Sequence, residues 1–130
     1  MARVALDADV LIAFLDAADD QHERAVSMLR PHPSTAEEIL VSASVYAEVM
    51  VRPLARGIES KVDEFLAAVN ATVVAIDRST ARLAAQLRAR HRGLRLPDAL
   101  ALAAALAGDA ELLTLDHGLA RIATREATSS

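Results

Sequence analysis

Apolar and polar positions fall into blocks along the 130-residue chain, and the period of the blocks changes from one to the next. RVAL (3–6), ILVS (39–42), TVVAI (72–76) and ELLTL (111–115) are short β-type runs bounded by polar or turn residues, which predicts four strands. Helical spacing fills the intervals. VLIAFL begins a helix at 10, and Asp19 or Asp20 is placed to cap a second that runs to about Leu29. Ser44 is placed to cap a third, carrying Tyr46 and Glu48, which Pro53 ends or kinks. Gly57 precedes a fourth over 58–69. An Arg-rich helix follows from about Thr80 to His91, then PDALALAAALAG with Pro97 in its first turn and Gly108 at its end, and Asp116 opens a short last helix. PHPSTAEE (31–38) reads as a loop.

Strands separated by helices pair in parallel through right-handed crossovers, with helices on both faces. The predicted fold is therefore α/β: a three-layer sandwich around a small parallel sheet. One domain is expected over 1–124, with 125–130 as a loose tail.

Composition narrows the chemistry. Hydrophobic residues make up 53% of the chain, yet Phe14, Tyr46 and Phe65 are its only aromatics, so the core is packed from Ala, Leu, Val and Ile. Cysteine is absent, which removes disulfides, thiolate metal sites and thiol nucleophiles, and leaves oxygen or imidazole as metal donors. Asp7 and Asp9 interrupt the only apolar run near the N-terminus, so it does not read as a signal peptide; no clean run reaches membrane-spanning length. A reducing cytoplasm is the expected setting.

The acids are harder to accommodate. In a parallel α/β sheet, ligands gather beyond the C-terminal ends of the strands. Asp7 ends the first strand, Asp116 follows the fourth, Glu48 lies one turn into the helix after the second, and Asp98 opens the apolar helix that leads into the fourth. Each has an ordinary reading: Asp116 as a helix cap, Asp98 as a partner of the helix dipole, Glu48 as an i+4 partner of Arg52. Glu48, however, sits among Val45, Val49 and Val51 and is expected to be buried, and a buried strand gains nothing from Asp7. Four carboxylates in one small space repel, and a hard divalent cation, Mg2+ or Mn2+, relieves the conflict. Asp9 faces the same side as Asp7 in an extended chain, or caps the next helix; both readings stand. Asp16, Asp19, Asp20, Asp63 and Asp77 read as caps or solvated surface, and His22, His32 and His117 lack zinc-ligand spacing.

The net charge of −4 argues against a general nucleic-acid binder, but six arginines (78, 82, 88, 90, 92 and 95) and His91 fall between Arg78 and Pro97 without one acid. Arg78, Arg82, Gln86 and Arg90 form one i+4 stripe, while Arg88, Arg92 and Arg95 lie nearer Asp98. The stripe is either a solvated helix face or a local basic binding face.

Four segments, LDADVLIAFLD with QHERA behind it, SASVYAEVMV, LPDALALAAAL and LLTLDHGL, resemble the PIN-domain ribonuclease toxins of bacterial VapBC toxin–antitoxin pairs, in order and spacing over nearly the whole chain. The resemblance implies that Asp7, Glu48, Asp98 and Asp116 bind the metal and that Thr114 is a supporting hydroxyl. It implies an RNA substrate, a cognate antitoxin that covers the site, and a homodimer. For such a substrate Arg82, Arg88, Arg90, Arg92 and Arg95 are the candidate RNA-binding residues, and with one plausible exposed aromatic, recognition of folded RNA through phosphates and shape fits better than stacking along single strands. Asp9 departs from the Ser, Thr or Asn usual in the family. The expected reaction is hydrolysis of an RNA phosphodiester by water activated at one or two Mg2+ ions, leaving a phosphate on the downstream fragment. Two rivals share an acidic pocket. A haloacid-dehalogenase-type phosphatase wants a second acidic pair that GDAELL does not space correctly, and a receiver domain wants a lysine after a late strand where Lys61 is the only lysine. A PIN fold kept mainly for partner binding is the third alternative.

Overall fold

The first strand fixes the layering. In the computed structural model, which describes residues 3–30 and 38–129, β1 (Arg3–Leu6) is followed by α1 (Ala8–Leu15), α2 (His22–Leu29), β2 (Glu38–Ser42), α3 (Ala43–Arg56), α4 (Glu59–Ala68), β3 (Thr72–Val74), α5 (Arg78–Arg90), α6 (Leu96–Ala107), β4 (Glu111–Leu113) and α7 (His117–Ser129). Successive strand residues point to opposite faces, yet Val4, Ala5 and Leu6 are all buried, so both faces of β1 are covered. That is the three-layer arrangement the alternating pattern predicts.

The sheet is wholly parallel with strand order β3-β2-β1-β4. Val4 is in register with Ile39 on one side and Glu111 on the other. The chain therefore steps outward through β2 and β3, then returns across β1 to place β4 on its far side. The direction of winding reverses between β1 and β4, and a crevice opens beyond the strand ends at such a point. Asp7 N–H donates to Leu113 O at 3.0 Å, which carries the ladder one residue past β1 and joins the two strand ends.

The Ala-rich α6 lies against β1, β2 and β4. Its run from Ala99 to Ala105 is buried apart from Leu100, because small side chains let the helix approach the sheet closely. Gly108 ends it under Leu40: a Cβ there would stand 2.8 Å from Leu40 Cδ1.

Several boundaries differ from the sequence reading. Ser42, rather than Ser44, caps α3, its Oγ accepting from Val45 N at 3.2 Å, since the helix starts directly after β2. Pro53 falls inside the last turns of α3, which ends at Gly57 with a left-handed φ of 69°. Neither Asp19 nor Asp20 caps α2; Gln21 precedes it, and Asp19 accepts from Gln21 N within the preceding turn. β3 and β4 are shorter than expected. The last helix is longer than the short one expected, continuing through Ser129, and Glu126 on it accepts from Arg90 at 2.9 Å and lies 2.6 Å from His91 Nε2. The expected loop at 31–38, apart from Glu38, lies outside the described residues, as does His32.

Candidate active site

Asp7 stands where β1 turns into α1. Its backbone is extended (φ −81°, ψ 161°), its Oδ1 accepts from Ala8 N at 2.9 Å, and its Oδ2 accepts from Thr114 Oγ at 2.8 Å. Asp9 lies in the first turn of α1 and reaches across the crevice, where its Oδ2 accepts from Leu115 N at 3.1 Å and from Thr114 Oγ at 3.2 Å. Asp9 does not cap its own helix; it clasps the loop after β4. Thr114 Oγ in turn accepts from Asp116 N at 3.2 Å, and Asp116 Oδ1 accepts from Leu119 N at 3.1 Å to cap α7. Segments more than a hundred residues apart are thus held together by one hydroxyl.

The other two acids approach from the helices. Asp98, half-buried at the start of α6, is 3.6 Å from Arg95 Nε. Glu48 is exposed on α3, contrary to the expected burial, because Val45 and Val49 turn inward while Val51 faces outward with 66% of its surface accessible. Each acid is close enough to shift another. Burial raises the Asp7 carboxyl to about 6, and the charges of Asp9 and then Asp98 add to that against the opposing Thr114 and Ala8 hydrogen bonds. Burial also raises Asp9, with Asp116 adding to it. Glu48 is raised by partial burial and by Asp98, with Arg95 opposing. The five carboxylates form one electrostatic neighbourhood.

The donor set suits a hard cation. Every donor is a carboxylate or hydroxyl oxygen, and the raised Asp7 carboxyl marks a place where further negative charge is disfavoured and positive charge favoured. Among the described residues no three Asp, Glu or His side chains are grouped as ligands of a single ion. Mg2+ keeps several waters and needs only one or two carboxylates directly, so a looser group of acids fits it.

The other singled-out residues divide. Of the arginines, Arg90 is engaged by Glu126, Arg88 Nε donates to Leu94 O at 2.9 Å, and Arg95 stands at Asp98; Arg82 and Arg92 are exposed. His22 pins α2 to α1, its Nδ1 lying 2.8 Å from Ala13 O. Two residues carried no sequence signal of cooperation: Arg24 Nη2 donates to His117 Nε2 at 3.4 Å beside Asp116. A groove of about 410 Å³ opens there, bordered by Asp9, Ile12, Gln21, Arg24 and Asp116.

Among the described residues no helix is long and apolar enough to cross a membrane. The sequence matches no curated protein. Solved structures share the fold. VapC20 of Mycobacterium tuberculosis, described as a sarcin–ricin loop cleaving toxin, is 17% identical, with a TM-score of 0.74 over 91% of this chain and 93% of that one. VapBC2 of Rickettsia felis, bound to a DNA fragment from its promoter, is 20% identical with a TM-score of 0.69 over 92% of each chain. A toxin–antitoxin complex from Klebsiella pneumoniae is 24% identical with a TM-score of 0.68 over 87% and 86%. At these identities the likeness speaks for architecture alone. A family model reaches further, matching residues 4–125, from the first buried strand into the last helix, and by that match the chain belongs to the PIN domain family.

Proposed function

We propose that this protein is a Mg2+- or Mn2+-dependent endoribonuclease and the toxin of a toxin–antitoxin pair. The observation that carries the reading is the convergence of Asp7, Asp9 and Asp116 on Thr114 where β1 and β4 end, with Asp98 and Glu48 within electrostatic reach. Asp7, Glu48, Asp98 and Asp116 would hold the ion. When bound, it would neutralise charge on the scissile phosphate and lower the pKa of an attacking water. The chain's own part is positional. Thr114 and the Asp7 N–H bond to Leu113 keep the two strand ends from separating, Asp9 holds the loop that carries Asp116, and Arg95 holds Asp98 in place while offering a cation to RNA. In this reading Arg82, Arg88, Arg90 and Arg92 would add to that basic surface. The cognate antitoxin would cover the acids. Val51 and Leu54, exposed on α3, supply apolar surface for a homodimer, which light scattering would detect.

Incubation of the purified protein with total cellular RNA tests the reading. Cleavage is expected with Mg2+ or Mn2+, none with a chelator or with Asp98→Asn, and the downstream fragments should carry a 5′ phosphate. Cleavage that persists in both controls, or an intact RNA throughout, would end the ribonuclease reading; antitoxin binding without cleavage would favour a PIN fold kept for its partner.

A further inference from the structure

The acidic centre has a second basic neighbour, on α7. His117, Arg121 and Arg125 are spaced four apart on α7 and so share one face, at steps of about 6 Å. They border an open groove of about 500 Å³ floored by Ala120 and Thr124. This groove adjoins the one beside Asp9 and Asp116, since Arg24 of the first touches His117 of the second. Gly118 marks the join. A Cβ placed on it would stand 3.3 Å from Asp116 Oδ1 and 4.0 Å from Arg121 Nη2, so the acid and the guanidinium border the same small space.

We propose that RNA leaves the reacting phosphate along this face of α7, with Arg24 and Arg121 holding backbone phosphates; the inference rests on the ribonuclease reading and adds the path of the substrate. Four observations favour it. The line begins at Asp116, where the reacting phosphate belongs. Its four-residue steps are on the scale of neighbouring phosphates in a nucleic-acid strand. Among the described residues Arg24 makes long hydrogen bonds, 3.5 Å to Gln21 Oε1 and 3.4 Å to His117, and no ion pair with a carboxylate, whereas Arg90 is already held by Glu126. The floor is made of small side chains and has no apolar pocket of the kind that anchors a protein partner, which favours a polyanion over a peptide.

A fluorescein-labelled RNA stem-loop of mixed sequence, titrated against full-length Asp98→Asn protein in Mg2+ at several salt concentrations, provides the test. Arg24→Ala and Arg121→Ala should each weaken binding about tenfold, and lower the slope of log Kd against log salt by about 0.7. Arg24→Lys and Arg121→Lys should retain the slope, because the charge is kept, and Arg56→Ala should leave it alone. A slope unchanged in both alanine variants overturns the proposal, as does an equal loss in Arg56→Ala. So does a loss confined to labelled oligo-glutamate with RNA binding intact, which would assign the groove to an acidic protein segment. Cleavage of total RNA by the unmodified protein is scored separately, so a failed track and a failed ribonuclease reading give different results.

Discussion

The Thr114 hydroxyl carries one proton and faces two carboxylates, Asp7 Oδ2 at 2.8 Å and Asp9 Oδ2 at 3.2 Å. It can donate to only one of them at a time, and burial first, then the nearby charge of Asp9, raise Asp7 from 3.8 to about 6 against that hydrogen bond. A folded-state value above the unfolded one means that the native chain holds this proton more tightly. The associated stability is complete below about pH 4 and is lost as pH rises through about 6, amounting to roughly 3 kcal/mol. In chelator, Asp7→Asn should therefore unfold at higher urea than the parent at pH 8, and the gain should vanish at pH 4. Thr114→Val is expected to do the reverse, lowering stability by about 1–3 kcal/mol through the lost hydrogen bond to the buried Asp7 carboxylate, with cleavage falling as Asp7 loses its fixed position; urea titration and initial rates would register the two effects. Asp7, Asp98 and Asp116 were legible in the sequence because an acid at the end of a buried strand or the start of an apolar helix has no packing role. Thr114 was legible only through family resemblance. Glu48 was misjudged as buried because a run of valines on a helix does not say which of them faces inward. Arg24 and His117 lie 93 positions apart and gave no signal at all.

Among the helices, α7 shows most plainly how far local pattern reaches. The strand and helix sequence was readable throughout, and so was the end of α6 at Gly108, but the persistence of α7 depends on a tertiary clasp. Arg90 first, then His91, hold the Glu126 carboxyl below its ordinary value. The stability tied to that lowered value is present above the unfolded pKa and fades as pH falls. Glu126→Ala should cost about 1–2 kcal/mol, read as faster amide exchange over the last turns of α7 and little change in β1. Cap positions were missed for a related reason: α3 begins the moment β2 ends, so Ser42 serves both as last strand residue and as cap. Gly108 offers a sharper test of helix-to-sheet spacing. Gly108→Ala would press a methyl against Leu40 Cδ1 and should destabilise by about 1–3 kcal/mol in urea unfolding.

For the folded chain taken together, the parallel, helix-covered architecture followed from alternation of strand and helix, whereas the order β3-β2-β1-β4 did not, since alternation alone does not say on which side of β1 the last strand lands. That placement is what brings Asp7 to Asp116. In the proposed reading the acids repel one another without an ion, so divalent cations should stabilise the protein by mass action, by about 2.7 kcal/mol at a hundredfold excess over Kd. Thermal unfolding should show a rising Tm with Mg2+ that Asp98→Asn abolishes, while K+ at equal ionic strength leaves it unchanged.

The bond from Thr114 to Asp7 closes a span of 107 residues. A polypeptide still on the ribosome, or one cut short before Glu111, has its first two aspartates but neither the hydroxyl nor the last acid that complete the centre. In the proposed reading, the centre would be completed only when the last segment has been made, and unfinished copies would lack cleavage activity.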